Sequence, residues 1–287
     1  MSSSFSTIKS LKEILKKHQS FPLKYLGQSF LIDKTAVKEI IKAAQIKQGD
    51  IILEIGPGTG VLTKELAQKA KKVITVEKDA RMIKILREEL KDFKNIEIIK
   101  GDILKAQNYN LKLKTKGYKI VANLPFYLAN PVIRKFLEMP NPPSVMILIV
   151  QKEVAQRICP ACRQAGAKPP RMSILAVSVQ FYAQPKIISY ISKKSFWPQP
   201  KVDSAIIKII PRQFRVPVSR QFREQFFKIV KAGFSHPRKQ LINNLSTGLN
   251  LNREQIKNWL LKNKTNPSRR AETLKVDDWI KLTKSFP

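Results

Sequence analysis

Between about residue 35 and residue 210, short apolar runs alternate with stretches in which apolar residues recur at helical spacing. The β-branched run 51–55, set between a Gly-Asp turn and a glycine-rich loop, predicts a strand. Residues 59–70 carry Val61, Leu62 and Leu66 on one helical face. Residues 73–77 predict a second strand, and 80–90 a helix with Met82, Ile83, Leu86 and Leu90 inward. The runs 96–99, 120–122 and 145–150 predict further buried strands. Such alternation predicts an α/β fold, a mainly parallel sheet covered by helices on both faces.

Further along, the pattern changes. Residues 187–191 and 205–210 read as strands joined only by the proline-rich stretch 196–200, which predicts an antiparallel hairpin on one sheet edge. Residues 211–218, with two prolines, form the expected linker. Beyond it 220–232, 239–245, 253–262 and 276–284 predict a small all-helical domain. The expected division is a basic segment 1–21, a catalytic domain 22–211 and a helical domain 219–287. In the first of these, Ile8, Leu11, Ile14 and Leu15 fall at helical spacing, predicting a short helix that faces RNA or packs on the domain. The continuous apolar core of a secretion signal is absent, while a mitochondrial presequence shares this basic, amphipathic character.

Charge narrows the class of partner. Fifty-four Lys plus Arg against 21 Asp plus Glu give a net charge of +33, and the pI is near 10.3. Such an excess attracts polyanions, so a nucleic acid is the expected partner. The apolar run 145–150 is far short of the ~20 residues that cross a bilayer, so no membrane span is expected. The Cys159/Cys162 pair is the only cysteine content, and His18 and His236 are the only histidines. A structural zinc site needs four ligands, so no metal is expected and the pair reads as incidental loop residues. Cytoplasm is the expected location. No feature of the pattern demands a dimer, and a monomer is expected.

The candidate chemistry lies at predicted strand ends. Glu54-Ile55-Gly56-Pro57-Gly58-Thr59-Gly60 follows a strand and opens a helix. Its glycines permit a tight turn and a close ligand approach. A dinucleotide fingerprint is G-x-G-x-x-G; here the spacing is G-x-G-x-G after an acid, which suits a ligand carrying an ammonium or sulfonium better than a diphosphate. Glu77 ends the next strand about 20 residues on, where a carboxylate can accept bonds from ribose hydroxyls. Asp102 follows the third strand, placed to meet an adenine edge. Asn123-Leu124-Pro125-Phe126 follows the fourth. An exocyclic aromatic amine is a poor nucleophile because its lone pair is delocalised. The Asn123 amide oxygen and the Leu124 carbonyl can accept its two N–H bonds and favour a geometry with an available lone pair. Pro125 fixes the turn, and Phe126 offers a face on which a base can stack.

With these residues in order, the chain resembles the class I methyltransferases acting on adenine N6, and more specifically the small-subunit ribosomal RNA adenine N6-dimethyltransferases. Further matches are Leu26–Asp33, Phe196–Ala205, Ala232–Leu245 with Phe234, Arg238, Lys239 and Asn244, and Arg270–Leu274. The resemblance implies a Rossmann-like sheet, S-adenosylmethionine as cofactor, and immature small ribosomal subunits as partner. It implies that Gln28, Ser29 and Leu31 border the methionyl part of the cofactor, with Gly56, Gly58 and Glu54 in its loop. Glu77 would take the ribose and Asp102 the adenine amino group. Asn123, Leu124 and Pro125 would hold the target amine, with Phe126 and Phe196 on either side of the base. The implied reaction is dimethylation of two adjacent adenosines in the 3′-terminal hairpin of 16S rRNA. Three departures stand out: Ser29 where Asn or His is usual, Phe126 where Tyr is commoner, and a longer, proline-rich loop at 159–170.

Three rival readings share parts of this pattern. A large-subunit rRNA adenine methyltransferase of the antibiotic-resistance type has nearly the same core motifs, but residues 234–245 and 270–274 favour the small subunit. DNA adenine methyltransferases usually carry a second proline where Leu124 stands. A non-catalytic RNA-binding assembly factor would have no need of intact Glu77, Asp102 and Asn123.

Overall fold

A computed structural model of the chain describes residues 8–108, 117–159, 172–212 and 219–287. Most of the expected linker 211–218, Cys162 and nearly all of the 159–170 loop therefore lie outside the described residues. The chain divides into two compact units, one of Met1–Ala155 with Pro185–Pro211, the other of Gln156–Gln184 with Arg212–Pro287.

The first unit is built on a seven-stranded sheet. Its elements in chain order are α1 (Ile8–Lys17), β1 (Phe30–Leu31), α2 (Lys34–Ala44), β2 (Ile51–Ile55), α3 (Val61–Ala67), β3 (Lys72–Glu77), α4 (Ala80–Glu89), β4 (Ile96–Lys100), β5 (Lys119–Asn123), α5 (Ala129–Glu138) and β6 (Val145–Gln151). After α6 (Lys152–Ile158) and α7 (Ile174–Tyr182) come β7 (Ala183–Ile191), β8 (Phe196–Trp197) and β9 (Ser204–Pro211). The spatial order is β4-β3-β2-β5-β6-β9-β7. The pairs β2–β3, β3–β4, β2–β5 and β5–β6 are parallel, whereas β9 runs antiparallel to β6 with Gln151 opposite Ser204. The two strands expected as an edge hairpin are thus neighbours, with β7 outermost.

The central strands are buried on both faces, and β6 is buried from Val145 to Val150. That is why they read as unbroken apolar runs rather than alternating ones. By contrast β7 alternates buried and exposed positions, as an edge strand with one dry face does. Helices α2 and α5 escaped the periodicity reading, although Ala36, Val37, Ile40 and Ala44 of α2 form one buried stripe. Asp33 caps α2, its carboxylate accepting from the Thr35 and Ala36 amides.

Helix α1 packs on this unit. Leu11 and Leu15 are buried against Phe30, Met82 and Ile85, and Lys17 pairs with Glu88 at the end of α4. Phe30 and Leu31 pair with Trp197 and Phe196 in the small β1–β8 ladder, which the sequence patterns did not reveal.

In the second unit α7 joins α8 (Arg220–Gly233), α9 (Leu241–Leu249), α10 (Arg253–Lys262) and α11 (Val276–Lys284) around one apolar core. Phe181 of α7 stacks on Phe226 of α8 at 4.2 Å between ring centroids. That contact is one physical reason why α7 belongs with the helices although it precedes β7 in the chain. Helix α9 starts at Leu241 rather than residue 239 because Lys239 closes a turn on His236. Gly233 and Gly248 are close-packing positions: a Cβ on Gly233 would lie 2.4 Å from the Trp279 ring, and one on Gly248 2.7 Å from Ala232.

Leu11 is 1% exposed, so Leu11→Ala should lower the unfolding free energy by about 2–4 kcal/mol. Denaturant unfolding would check it, and an unchanged midpoint would mean that α1 does not hold this unit together.

Candidate active site

Parallel pairing brings the carboxyl ends of β4, β3, β2 and β5 to one edge of the sheet in that spatial order. There they present, in turn, Asp102 just past β4, Glu77 ending β3, Glu54 near the end of β2 and Asn123 ending β5. An open cleft lies over this edge, about 1290 Å³ including its mouth. Its lining contains every candidate residue named above, from Gln28, Ser29 and Leu31 through Glu54, Gly56, Gly58, Glu77 and Asp102 to Asn123, Leu124, Pro125, Phe126 and Phe196. Residues separated by as much as 168 positions, Gln28 and Phe196, meet there.

The glycine loop is shaped for close approach. Gly56, Gly58 and Gly60 all have positive φ, at 66°, 58° and 87°. A Cβ on Gly58 would stand 2.9 Å from the Phe30 ring, so this position must be glycine for steric as well as conformational reasons. Beyond the loop, α3 begins with Gly60 at its N-cap.

Two carboxylates here are nearly dry. Glu77 is 7% exposed, and its Oε1 accepts from the Lys78 and Asp79 amides at 2.8 Å while Oε2 accepts from the Gly58 amide at 3.3 Å. A carboxylate has about four acceptor sites, so one remains for a ligand hydroxyl. Burial raises the Glu77 pKa in spite of these bonds. Glu54 is 1% exposed, and its Oε2 has no hydrogen-bond partner. Burial, opposed by the nearby Thr63 hydroxyl and helped by the Glu77 charge, pushes its pKa up to about 8. A buried carboxyl with an unpartnered oxygen is costly unless a ligand completes it.

The rim residues are held by specific contacts. Asp102 Oδ1 accepts from the Leu104 amide at 3.0 Å, and Lys78 Nζ donates to Oδ2 at 3.1 Å. Burial opposes its ionisation, but these bonds prevail and hold its pKa low. Lys135 of α5 donates to the Ile103 and Leu104 carbonyls at 2.9 Å each, tying down the segment beside Asp102. Gln28 is engaged at both ends: its Oε1 accepts from the Leu23 amide and its Nε2 donates to Asp79 Oδ2, both at 2.8 Å. The Ser29 hydroxyl donates to the Pro198 carbonyl at 2.7 Å. These two side chains thus bond to the protein itself, a feature that lies outside what the residue types convey.

The Asn-Leu-Pro-Phe turn leaves β5 directly. Asn123 Nδ2 donates to the Ser29 carbonyl at 3.1 Å, which fixes the amide plane and leaves Oδ1 as the end available to accept. The Leu124 side chain is buried and Phe126 is half-buried. Phe196 borders the cleft but is only 4% exposed, its ring packed into the core. Lys78, Tyr127, Lys135 and Ser204 were not singled out in the sequence. Ser204 is buried with its hydroxyl unpartnered. Lys78 and Tyr127 directly follow Glu77 and Phe126, so adjacency to those residues could have found them, whereas Lys135 and Ser204 reach the site through packing.

A mainly parallel sheet with an antiparallel strand next to the edge, acids at three successive strand ends and an Asn-Leu-Pro-Phe turn at the fourth define the class I methyltransferase fold. Residues 21–287 match the family model described as ribosomal RNA adenine dimethylase, and the chain belongs to that family. Among relatives, it is 40% identical over 271 residues to "Ribosomal RNA small subunit methyltransferase A" of Dehalococcoides mccartyi, covering 94% of this chain and 90% of that one. A protein of the same description from Clostridium botulinum is 39% identical, with 95% and 96% covered. Among solved structures, a dimethyladenosine transferase from Plasmodium falciparum aligns with a TM-score of 0.70 at 29% identity, covering 88% of this chain and 95% of that one. The 23S rRNA methyltransferase ErmE aligns at 0.72 with 24% identity, covering 89% and 98%, a likeness of fold.

The raised Glu54 pKa has a definite sign. Its contribution to stability is complete below the ordinary carboxyl value and is lost as pH rises towards about 8. Glu54→Gln should therefore flatten the fall in melting temperature of the ligand-free protein between pH 5 and 8. Thermal melts across that range check it; parallel profiles for the two proteins would mean that Glu54 ionises normally.

Proposed function

We propose that this chain transfers methyl groups from S-adenosylmethionine to the N6 amino groups of two adjacent adenosines in the 3′-terminal hairpin of 16S rRNA, during assembly of the small subunit. The observation that carries the reading is the cleft itself, in which Asn123 Oδ1 is free to accept beside two dry carboxylates and a glycine cradle. The names of the small-subunit relatives and the motifs at 234–245 and 270–274 support this target over the large subunit.

The donor set fits the cofactor. Glu77, with one acceptor site left, takes a ribose hydroxyl, and Asp102 accepts from the adenine amino group. Glu54, with its unpartnered oxygen, favours positive charge on the methionyl side. The glycine loop lets the cofactor lie against backbone. When bound, S-adenosylmethionine supplies a methyl group made electrophilic by its positive sulfur.

Asn123 Oδ1 and the Leu124 carbonyl accept the two N6 hydrogens of the target adenine. This pairing draws the lone pair out of conjugation as the N–C bond forms, an interaction stronger in the transition state than in the ground state. The proton released from N6 passes to solvent. The adenine must leave its stack to enter, and the half-buried Phe126 offers it a stacking face. With Nδ2 anchored on Ser29, Asn123 needs no rearrangement to act. Orientation and preorganised acceptors supply the rate, and no strong general base is needed.

The helical domain 219–287 and the +33 net charge grip the phosphate backbone. A substrate within the small subunit places the protein in the cytoplasm, and it works there as a monomer without metal.

Tritiated-methyl transfer to free rRNA and to partly assembled small subunits tests the reading. Asn123→Ala should lower transfer at least about 100-fold while leaving S-adenosylmethionine affinity within a few-fold. Normal methylation by that variant would overturn the mechanism, and no transfer by the wild type to either substrate would favour an assembly factor. RNA affinity should fall at least about tenfold between 50 and 200 mM salt, as measured by filter binding.

A further inference from the structure

Among the described residues, four aromatic side chains are exposed: Phe21 (63%), Tyr25 (78%), Tyr127 (53%) and Tyr190. The first three gather at one rim of the active-site cleft. Tyr127 follows Phe126 directly and lines the cleft with Leu26 and Gly27. Its ring lies against Gly27, where a Cβ would be 3.6 Å away. Tyr25 directly precedes Leu26, which lines the cleft together with Lys78. The Phe21 ring faces the Arg81 guanidinium at 5.2 Å, and Arg81 also donates to the Phe21 carbonyl. Asp79 clamps Arg81 in turn, at 3.0 and 2.6 Å, and Gln28 joins the same carboxylate. The rings therefore sit on a braced segment.

A lone exposed aromatic residue is ordinary, but three beside a functional cleft mark a contact surface. The local acids do not oppose an anionic partner, since Asp79 is paired with Arg81 and Asp102 with Lys78. The chain as a whole carries +33. An adenosine that enters the cleft leaves its neighbours in the strand without a stacking partner at this rim.

We infer that Phe21, Tyr25 and Tyr127 form a stacking face for the unpaired nucleotides next to the target adenosine. The inference rests on the RNA adenine reading above and adds to it a site for the flanking bases. Flat, amphipathic rings suit this role because every base has a π-face, so the contact selects unpaired RNA without reading its sequence. Duplex RNA, whose bases are already stacked, gains nothing from it.

The test uses the full chain and RNA hairpins with two adjacent adenosines in the loop. 2-Aminopurine replaces the nucleotide on the 5′ or the 3′ side of the adenosines in separate RNAs. The wild type should quench its fluorescence through ring stacking. Tyr25→Leu and Tyr127→Leu, which keep apolar bulk without a flat ring, should each weaken RNA binding about fivefold or more and lose quenching from at least one position. Tyr25→Phe and Tyr127→Phe should retain both, and S-adenosylmethionine affinity should be unchanged in Tyr25→Leu, whose side chain is not part of the cleft lining. If the leucine variants bind and quench as the wild type does, the face serves another partner and the inference fails. Loss of methyl transfer by Asn123→Ala on the same RNAs would leave the enzymatic reading intact in that event. No transfer by the wild type to any RNA would instead remove the reading on which the inference rests.

Discussion

Parallel registry among β4, β3, β2 and β5 is the constraint on which the molecule depends. In a parallel sheet all strands end at the same edge, so one polar residue at each strand end yields a row of polar groups without any special arrangement. Each crossover helix then hides the strand faces, leaving only that edge open. Chemistry collects at the edge because the rest of the sheet is too dry to host it.

The cost of that arrangement is concentrated in Glu54 and Glu77. Carboxylates this buried resist ionisation, and among the described residues Glu54 Oε2 has no hydrogen-bond partner. The sheet tolerates them because its apolar core is large, with Ile52, Val73, Val121 and Ile147 fully buried. A positively charged ligand beside Glu54 would favour its ionised form, so its uptake draws the proton off that carboxyl. At Asn123, one end of the amide is anchored on Ser29 and the other kept for a substrate.

Around this edge, a second set of contacts connects distant parts of the chain. Lys135 reaches from α5 to the segment after β4. Gln28, Asp79 and Arg81 brace residues 21–28 against α4. Phe30 and Leu31 pair with Trp197 and Phe196, which brings the two ends of the first unit to the cleft. The rim is thus held by hydrogen bonds of its own, though it is built from segments with no periodicity.

Strand positions, the carboxylates and the Asn-Leu-Pro-Phe turn were legible in the sequence because each depends on local pattern. Buried parallel strands must be continuously apolar, and a ligand loop needs glycine where φ is positive, as at Gly56 and Gly58. Helix α7 was not read from the sequence, and its place in the helical unit includes the Phe181–Phe226 contact. Likewise Gln28 and Ser29 carried the right residue types, yet their hydrogen bonds to Asp79 and Pro198 join positions 51 and 169 residues apart. Which residues stand at the strand ends follows from local sequence, since backbone sterics and burial act on neighbours along the chain. Tertiary structure alone decided which of those side chains were left free to take a ligand, because a hydrogen bond or a dry environment is supplied by atoms remote in sequence.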